Sequence, residues 1–323
     1  TLTVSEYDTL LGITKPNEND GWSYSITDTV ENLAGADAAV RDGAVDLSAT
    51  GTANVTQATT IANATNSGST EIATVEDDAT DASTLNFSGS ATNASVTSLK
   101  VTTAATASEA NSILGLVGQG VVSLDPIKVT GDANPAKTAI LSNYDLIADG
   151  GIAQLTLTDG EANTALSSHV SKYLADSITI SEAVNTSKAN VLANGEKIAD
   201  GGIPEITLTD AEFDTFIGAN GADPFDAGSV TLGVVDESEA TIAANLAKVA
   251  PNGIISITLT KTLLDTVAST AGADVDGNVQ ALTVDLGAEG AVLTSLVINV
   301  EELAVTGGSD GAERVLDVSA LSG

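Results

Sequence analysis

Apolar and polar positions alternate in short runs along this chain, and the runs return at a fixed interval. Leu155-Thr156-Leu157-Thr158, Ile206-Thr207-Leu208-Thr209 and Ile257-Thr258-Leu259-Thr260 follow one another at spacings of 51 and 51 residues. A second set falls between them: Ile127-Lys128-Val129, Ile178-Thr179-Ile180, Val230-Thr231-Leu232 and Leu282-Thr283-Val284, spaced 51, 52 and 52 residues. Alternation with period two marks a strand with one buried face. Two independent markers on one interval identify an internal repeat.

The stretches between strands carry helical spacing. Asn134 to Gly151 reads NPAKTAILSNYDLIADGG and Asn185 to Gly202 reads NTSKANVLANGEKIADGG, with nine of eighteen positions identical. Ile140, Tyr144 and Ile147 become Val191, Gly195 and Ile198, then Ile242, Leu246 and Val249, the i, i+4, i+7 face of a helix. Asn134 before Pro135 fits an N-cap with proline at the first helical position. Asp-Gly-Gly after Ile147 and Ile198 fits a helix stop leading into the next strand. In the other connector, Thr158-x-x-Glu161 and Thr209-x-x-Glu212 fit capping boxes. Leu166, Val170 and Tyr173 then give an apolar stripe, matched by Phe213, Phe216 and Ile217. Each repeat reads strand, helix, strand, helix.

The first third follows the same plan in other words. Tyr24 to Asp28 and Gly43 to Leu47 read as strands, with a helical segment carrying Val30, Leu33 and Val40 between them. Val55 to Ala64 reads as helix and Thr70 to Val75 as strand. Residues 79–105, rich in Ser, Thr and Asn, are expected to interrupt the pattern, with strands at Leu85 to Phe87 and Val96 to Val101. The expected fold class is α/β: a right-handed solenoid of strand–helix turns, about 25 residues per turn in a 51-residue double repeat, with parallel strands. A mainly-β solenoid or β-rich domains are the alternative. The expected organisation is divergent turns over 1–126, three repeats over 127–286, and a strand-rich cap or junction over 287–323.

Composition narrows the function. With 44 acidic against 11 basic residues the net charge is −33, which argues against nucleic acid and anionic lipid as partners. There is no Cys and one His, His169, so thiol chemistry, zinc ribbons and multi-histidine metal sites are excluded. No run approaches a membrane span, no leader is legible at Thr1, and the missing initial Met reads as a processed or excised segment. Hydrophobic residues, mostly Ala, Val, Leu and Ile, make up 42% of the chain, enough for stacked aliphatic ladders with little aromatic content. The alternate Thr and Ser side chains of each strand, including Ser177, Thr179 and Ser181, are expected to face outward.

Calcium is the ligand these acids suit best. Asp274, Asp276 and Asn278 place oxygen donors at alternate positions around Gly277, as hard-cation loops do. Glu76-Asp77-Asp78 with Asp81, and Asn17-Glu18-Asn19-Asp20, are further acidic clusters, although turns collect Asp and Asn for conformational reasons too. Asn-x-Ser/Thr sequons begin at Asn54, Asn63, Asn86, Asn93 and Asn185. No set of residues identifies a catalytic apparatus, and the chain is read as a non-enzyme.

Residues 25–34 (SITDTVENLA), 43–50 (GAVDLSAT), 58–61 (ATTI), 64–68 (ATNSG) and 257–260 (ITLT) resemble repeats of very large bacterial surface and adhesin-like proteins. The resemblance covers most of 23–75 and 127–286. Such proteins are Ala/Thr/Asp-rich, Cys-free, often exported by type I secretion, and many carry haemolysin-type calcium repeats, whose nonapeptide signature is absent here. The resemblance implies an extracellular or cell-surface location. The function expected is a secreted structural segment of a surface layer, sheath, filament or adhesin stalk, stabilised by structural calcium and partnered by copies of itself. The alternative is an adhesion module for surface carbohydrate or ice.

Overall fold

The computed structural model describes residues 1–13, 23–87, 93–219, 225, 228–235, 240–250, 253–260, 279–285 and 302–306. Its contacts divide the chain into two compact units, Thr1–Leu155 with Ser171–Leu174, and Thr156–Val170 with Ala175–Gly323. The class is α/β with parallel strands.

In the first unit a helix α1 (Val4–Ile13) precedes five strands, β1 (Ile26–Thr29), β2 (Leu47–Ala53), β3 (Thr70–Asp77), β4 (Ala94–Val101) and β5 (Val121–Leu124). They form one sheet in sequence order, every adjacent pair parallel. Parallel neighbours need a crossover. Here the crossovers are short helices: α2 (Val30–Gly35) and α3 (Ala38–Asp42), α4 (Val55–Ala62), α5 (Ala79–Ala82) and α6 (Ala107–Leu116). The helices bury one narrow stripe each, Val55, Ala58, Ile61 and Ala62 in α4 and Ala107, Ala110, Ile113 and Leu114 in α6. Register stacks the inward residues into ladders: Ala49, Ile72, Val96 and Val121 in one, Ala53, Val75, Leu99 and Leu124 in another. All eight are buried. One rung elsewhere is polar: Thr70 is fully buried between Leu47 and Ala94, and its hydroxyl donates to Asn66 Oδ1 at 2.9 Å.

The described residues of 79–105 carry a helix and a strand that continue the sheet rather than interrupt it. β3 and β4 pair from Thr70↔Ala94 to Asp77↔Val101. Leu85 to Phe87 is not a strand; Asp78 caps α5 just before it by accepting from the Asp81 N–H. The helical segment behind β1 is split at Ala36–Asp37, because the Arg41 guanidinium turns back onto the carbonyls of Leu33, Ala34 and Ala36 at the end of α2. The strand expected over 43–47 begins at its last residue; Gly43 to Val45 form the exit from α3, with the Val45 N–H held by Tyr24 O.

The unit closes with β6 (Ile127–Asp132), α7 (Lys137–Ser142) and the greater part of β7 (Ile147–Leu157). The apolar i, i+4, i+7 face is buried as expected, but it does not lie on one helix. Asn143 stops α7 with φ −136°, a 3₁₀ turn spans Tyr144–Leu146, and Ile147 already begins the strand. Asn134 is the first residue of a 3₁₀ turn, and its N–H and amide donate to Asp132 Oδ1.

In the second unit come α8 (Asp159–Ser168), β8 (Ile178–Ile180), α9 (Lys188–Ala193), β9 (Ile206–Thr207), α10 (Asp210–Ala219), β10 (Val230–Thr231), β11 (Gly233–Val235), α11 (Ala240–Ala244), β12 (Ile254–Thr260), β13 (Val279–Asp285) and β14 (Glu302–Thr306). β11 to β14 form a parallel sheet in sequence order, with Leu282 opposite Leu303 and Val284 opposite Val305. The stripe of Leu166, Val170 and Tyr173 also leaves its helix: α8 ends at Ser168, and Val170–Lys172 is 3₁₀. Ser177 is fully buried at the entry to β8, not outward; Thr179 and Ser181 are at least part-exposed.

Two devices repeat at the sequence interval. Asn143, Asn194 and Asn245 each end a helix and donate Nδ2 to the carbonyl four residues back, at 2.8 Å every time. Gly151, Gly202 and Gly253 each sit where an added Cβ would lie 2.6–2.8 Å from the carbonyl of Ala148, Ala199 or Ala250. The Gly202 N–H donates to Ala199 O, and Gly201 has φ +63°, so Asp-Gly-Gly is a turn with glycine where a type II turn requires it. The turn lies in the run leading along the strand, as expected, but it does not stop the helix, which has already ended at Asn143 or Asn194.

Candidate functional site

Among the described residues, several acids stand at helix starts. Thr158 and Glu161 form the expected capping box on α8, and Thr209 and Glu212 make the same reciprocal bonds on α10. The arrangement also occurs at Thr3 with Glu6, Asn54 with Gln57, and Thr106 with Glu109. Positions 3, 54, 106, 158 and 209 are spaced 51, 52, 52 and 51, so the repeat interval reaches the first residues. A box satisfies the N-cap and N3 donors and leaves N1 without a partner from the box. An acid from the segment after the helix takes it: Asp28 Oδ2 accepts from Val4 N at 3.0 Å, Asp77 Oδ2 from Val55 N at 3.0 Å, and Glu182 Oε1 from Asp159 N at 2.8 Å.

One of these acids belongs to a candidate cation site. Among the described residues, Asp77, Asp78 and Asp81 bring carboxylate oxygens within 4.8 Å of one another at the end of β3 and the start of α5. Three of the four acids in that sequence cluster thus converge; Glu76 instead pairs with Lys100 at 3.0 Å. Asp77 already accepts from Val55 N and Asp78 N, and Asp78 from Asp81 N. A carboxylate pair of oxygens has about four acceptor positions, so capacity for a hard cation remains. The loop at Asp274, Asp276 and Asn278, and the acids of 17–20, lie outside the described residues.

Two clefts flank α1. One, of about 460 Å³, is lined by Ser5, Asp8, Glu31, Asn32 and Asp37. The other, of about 300 Å³, is apolar, with Leu2, Tyr7, Leu10, Leu11 and Tyr24. The Tyr7 and Tyr24 rings lie 4.5 Å apart, and the Tyr24 hydroxyl donates to Val40 O. Burial, then the neighbouring Tyr7, pushes the Tyr24 phenol well above its ordinary range, so it is a protonated structural donor and not a base. His169 is part-exposed, just beyond α8. The Asn54 sequon side chain caps α4.

The outward side of the β1–β5 sheet is hydroxyl-rich. Thr27, Ser48 and Ser95 lie on one cross-strand row, with Glu71 between the serines; Thr52, Thr74, Ser98 and Ser123 form another. Neighbouring rungs of a sheet are about 4.8 Å apart. Not all the hydroxyls project freely: Ser123 Oγ donates to Thr97 O, and Thr50 Oγ1 to Asp28 O. Compared with protein-family models and with curated proteins, the chain matches none of either.

Proposed function

We propose that the chain is a segment of a secreted, repetitive structural protein of a bacterial surface, as a layer, sheath, filament or adhesin stalk, and that it has no enzymatic role. In this reading each unit is a right-handed solenoid whose neighbouring turns are fastened to one another, and copies of the chain are its main partners. The observation that carries it is the stitch just described, in which one segment's helix start is completed by the next segment's acid at Val4, Val55 and Asp159. Cohesion that recurs along the chain suits repeat arrays, whose stability is a sum of nearest-neighbour terms. The −33 charge opposes assembly at low ionic strength, and divalent cations relieve it. Calcium at Asp77, Asp78 and Asp81 is the structural role proposed for that group. Electron micrographs of the purified chain, with calcium and with chelator, test the reading. Ordered polymers or layers support it, and monodisperse single particles under all conditions overturn it.

A second reading, an adhesion module for surface carbohydrate or ice, is favoured by the hydroxyl rows on the β1–β5 face. A glycan array and an ice-shaping assay distinguish the two ligands.

A further inference from the structure

Asp159 differs from the other helix-start acids in being buried, at 8% exposure, while pointing away from its own helix. Its Oδ2 accepts from Thr186 N at 2.6 Å; its Oδ1 accepts from Ser187 N at 2.9 Å and from Ser187 Oγ at 2.5 Å. In return, the Asp159 N–H donates to Glu182 Oε1. The start of α8 and the segment leading into α9 are therefore clasped in both directions. Asn190 Nδ2 reinforces the contact by donating to Asn163 Oδ1 at 2.8 Å. No capping side chain of its own serves α9, since Ser187 makes no such bond there. The N–H groups that Asp159 holds, those of Thr186 and Ser187, lie immediately before the helix, so the carboxylate fixes the entry of a six-residue helix too short to persist unaided.

We propose that Asp159 is an acid-sensitive clasp: ionised, it fastens the entry of α9 to the start of α8, and protonation releases that entry while the aliphatic core beneath stays packed. The chemistry is the exchange of a charged acceptor for a neutral acid. A carboxylate serves three or four donors at once, and charge-assisted bonds are roughly twice as strong as neutral ones. The added proton occupies one acceptor position and faces donors. The ionisable groups on the elements that meet there are Glu161 on α8, Glu182 before α9, Lys188 on α9 and Glu212 on α10, the last two paired at 2.7 Å. Burial opposes the charge on Asp159, but the Ser187 side chain and the N–H groups of Ser187, Thr186 and Asn185 outweigh it and hold its carboxyl below the ordinary range. Release consequently belongs to acid pH, below the ordinary carboxylate value. Aliphatic residues form the core below the clasp: Val184, Val191 and Ile198 are at most 2% exposed. The inference does not rest on the extracellular reading. The sequence carries the same two residue types 51 positions on, at Asp210 and Ser238.

Amide hydrogen exchange across 182–193, followed from neutral to acid pH in the full chain, tests the clasp. In wild type, protection at Thr186 and Ser187 should fall at acid pH before protection at Val191 and Ile198. In Asp159→Asn it should be about tenfold lower or more already at neutral pH, and independent of acidification. If Asp159→Asn does not fold, Ser187→Ala removes one donor and should raise the pH at which the Asp159 carboxyl titrates by NMR. Wild-type protection in Asp159→Asn, simultaneous loss at 186–187 and at 191–198, or an unmoved Asp159 titration in Ser187→Ala would each overturn the proposal. Glu182→Gln separates the partners, since it should leave the pH dependence at Ser187 in place.

Discussion

A Cβ placed on Gly202 would lie 2.7 Å from Ala199 O and 2.9 Å from Ile178 O, both backbone atoms with nowhere to go. Gly202→Ala should cost about 2 kcal/mol, the usual penalty for forcing backbone apart in a packed region. Gly160 is the control: a Cβ there meets nothing within 4 Å, and the residue lies in the first turn of α8. Gly160→Ala should therefore be neutral or stabilise by up to about 1 kcal/mol. Urea unfolding of both variants checks the pair; equal effects of the two substitutions would refute the close-approach account. The identity of Gly151 and Gly202 was visible as a repeat in the sequence, and so was the Asp-Gly-Gly turn chemistry. Sequence shows their lead into a strand but not their close approach, because turn chemistry is a local property, whereas contact with Ile127 O and Ile178 O depends on a strand 24 residues upstream. Buried Ser177 was missed for a similar reason. Alternation assigns a face only within a strand, and Ser177 precedes β8.

At the scale of the element, boxes at Thr158 and Thr209 were legible because Thr-x-x-Glu directly follows an alternating run. The one at Asn54 uses Asn and Gln, and those at Thr3 and Thr106 precede weaker apolar stripes, so only the structure joined all five into one series. The acids completing N1 from the next segment were not legible at all, since spacings such as Asp28 to Val4 acquire meaning only through parallel register. Thr158→Ala should destabilise by about 1 kcal/mol, and adding Glu161→Ala should cost less than the sum, since the two act as one unit. These contacts also set a pH dependence. Hydrogen bonds from the Thr3 N–H and hydroxyl hold Glu6 below the ordinary carboxylate range, and the Thr106 N–H with the Thr80 and Thr106 hydroxyls do the same for Glu109. The Ser69 N–H and hydroxyl, with Ser25, lower Asp46. A lowered folded-state value means that the unfolded chain binds protons first as pH falls. Stability should be flat above about pH 5 and decline through about pH 4 and below. A urea midpoint equal at about pH 6 and about pH 3 would contradict this.

For the whole molecule, satisfied helix starts do not remove the −33 charge; they only fix where part of it sits. Self-repulsion of that size falls with ionic strength, so the thermal midpoint should rise with NaCl and level off once the Debye length drops below the spacing of surface charges. Calcium separates screening from binding. At equal ionic strength a non-specific divalent effect should be the same in wild type and in Asp81→Asn, because one charge in 44 acids alters the general field little. A site at Asp77, Asp78 and Asp81 would instead lose a ligand, so the extra stabilisation by millimolar CaCl2 over NaCl should shrink in that variant alone. Asp81 is the informative choice. Asp77 also holds the Val55 N–H and Asp78 caps α5, so changing either would weaken the fold in the absence of any ion. Differential scanning calorimetry of the two proteins in matched salts reads the difference directly. An undiminished calcium increment in Asp81→Asn would remove that cluster as the seat of the effect and leave screening, which needs no site.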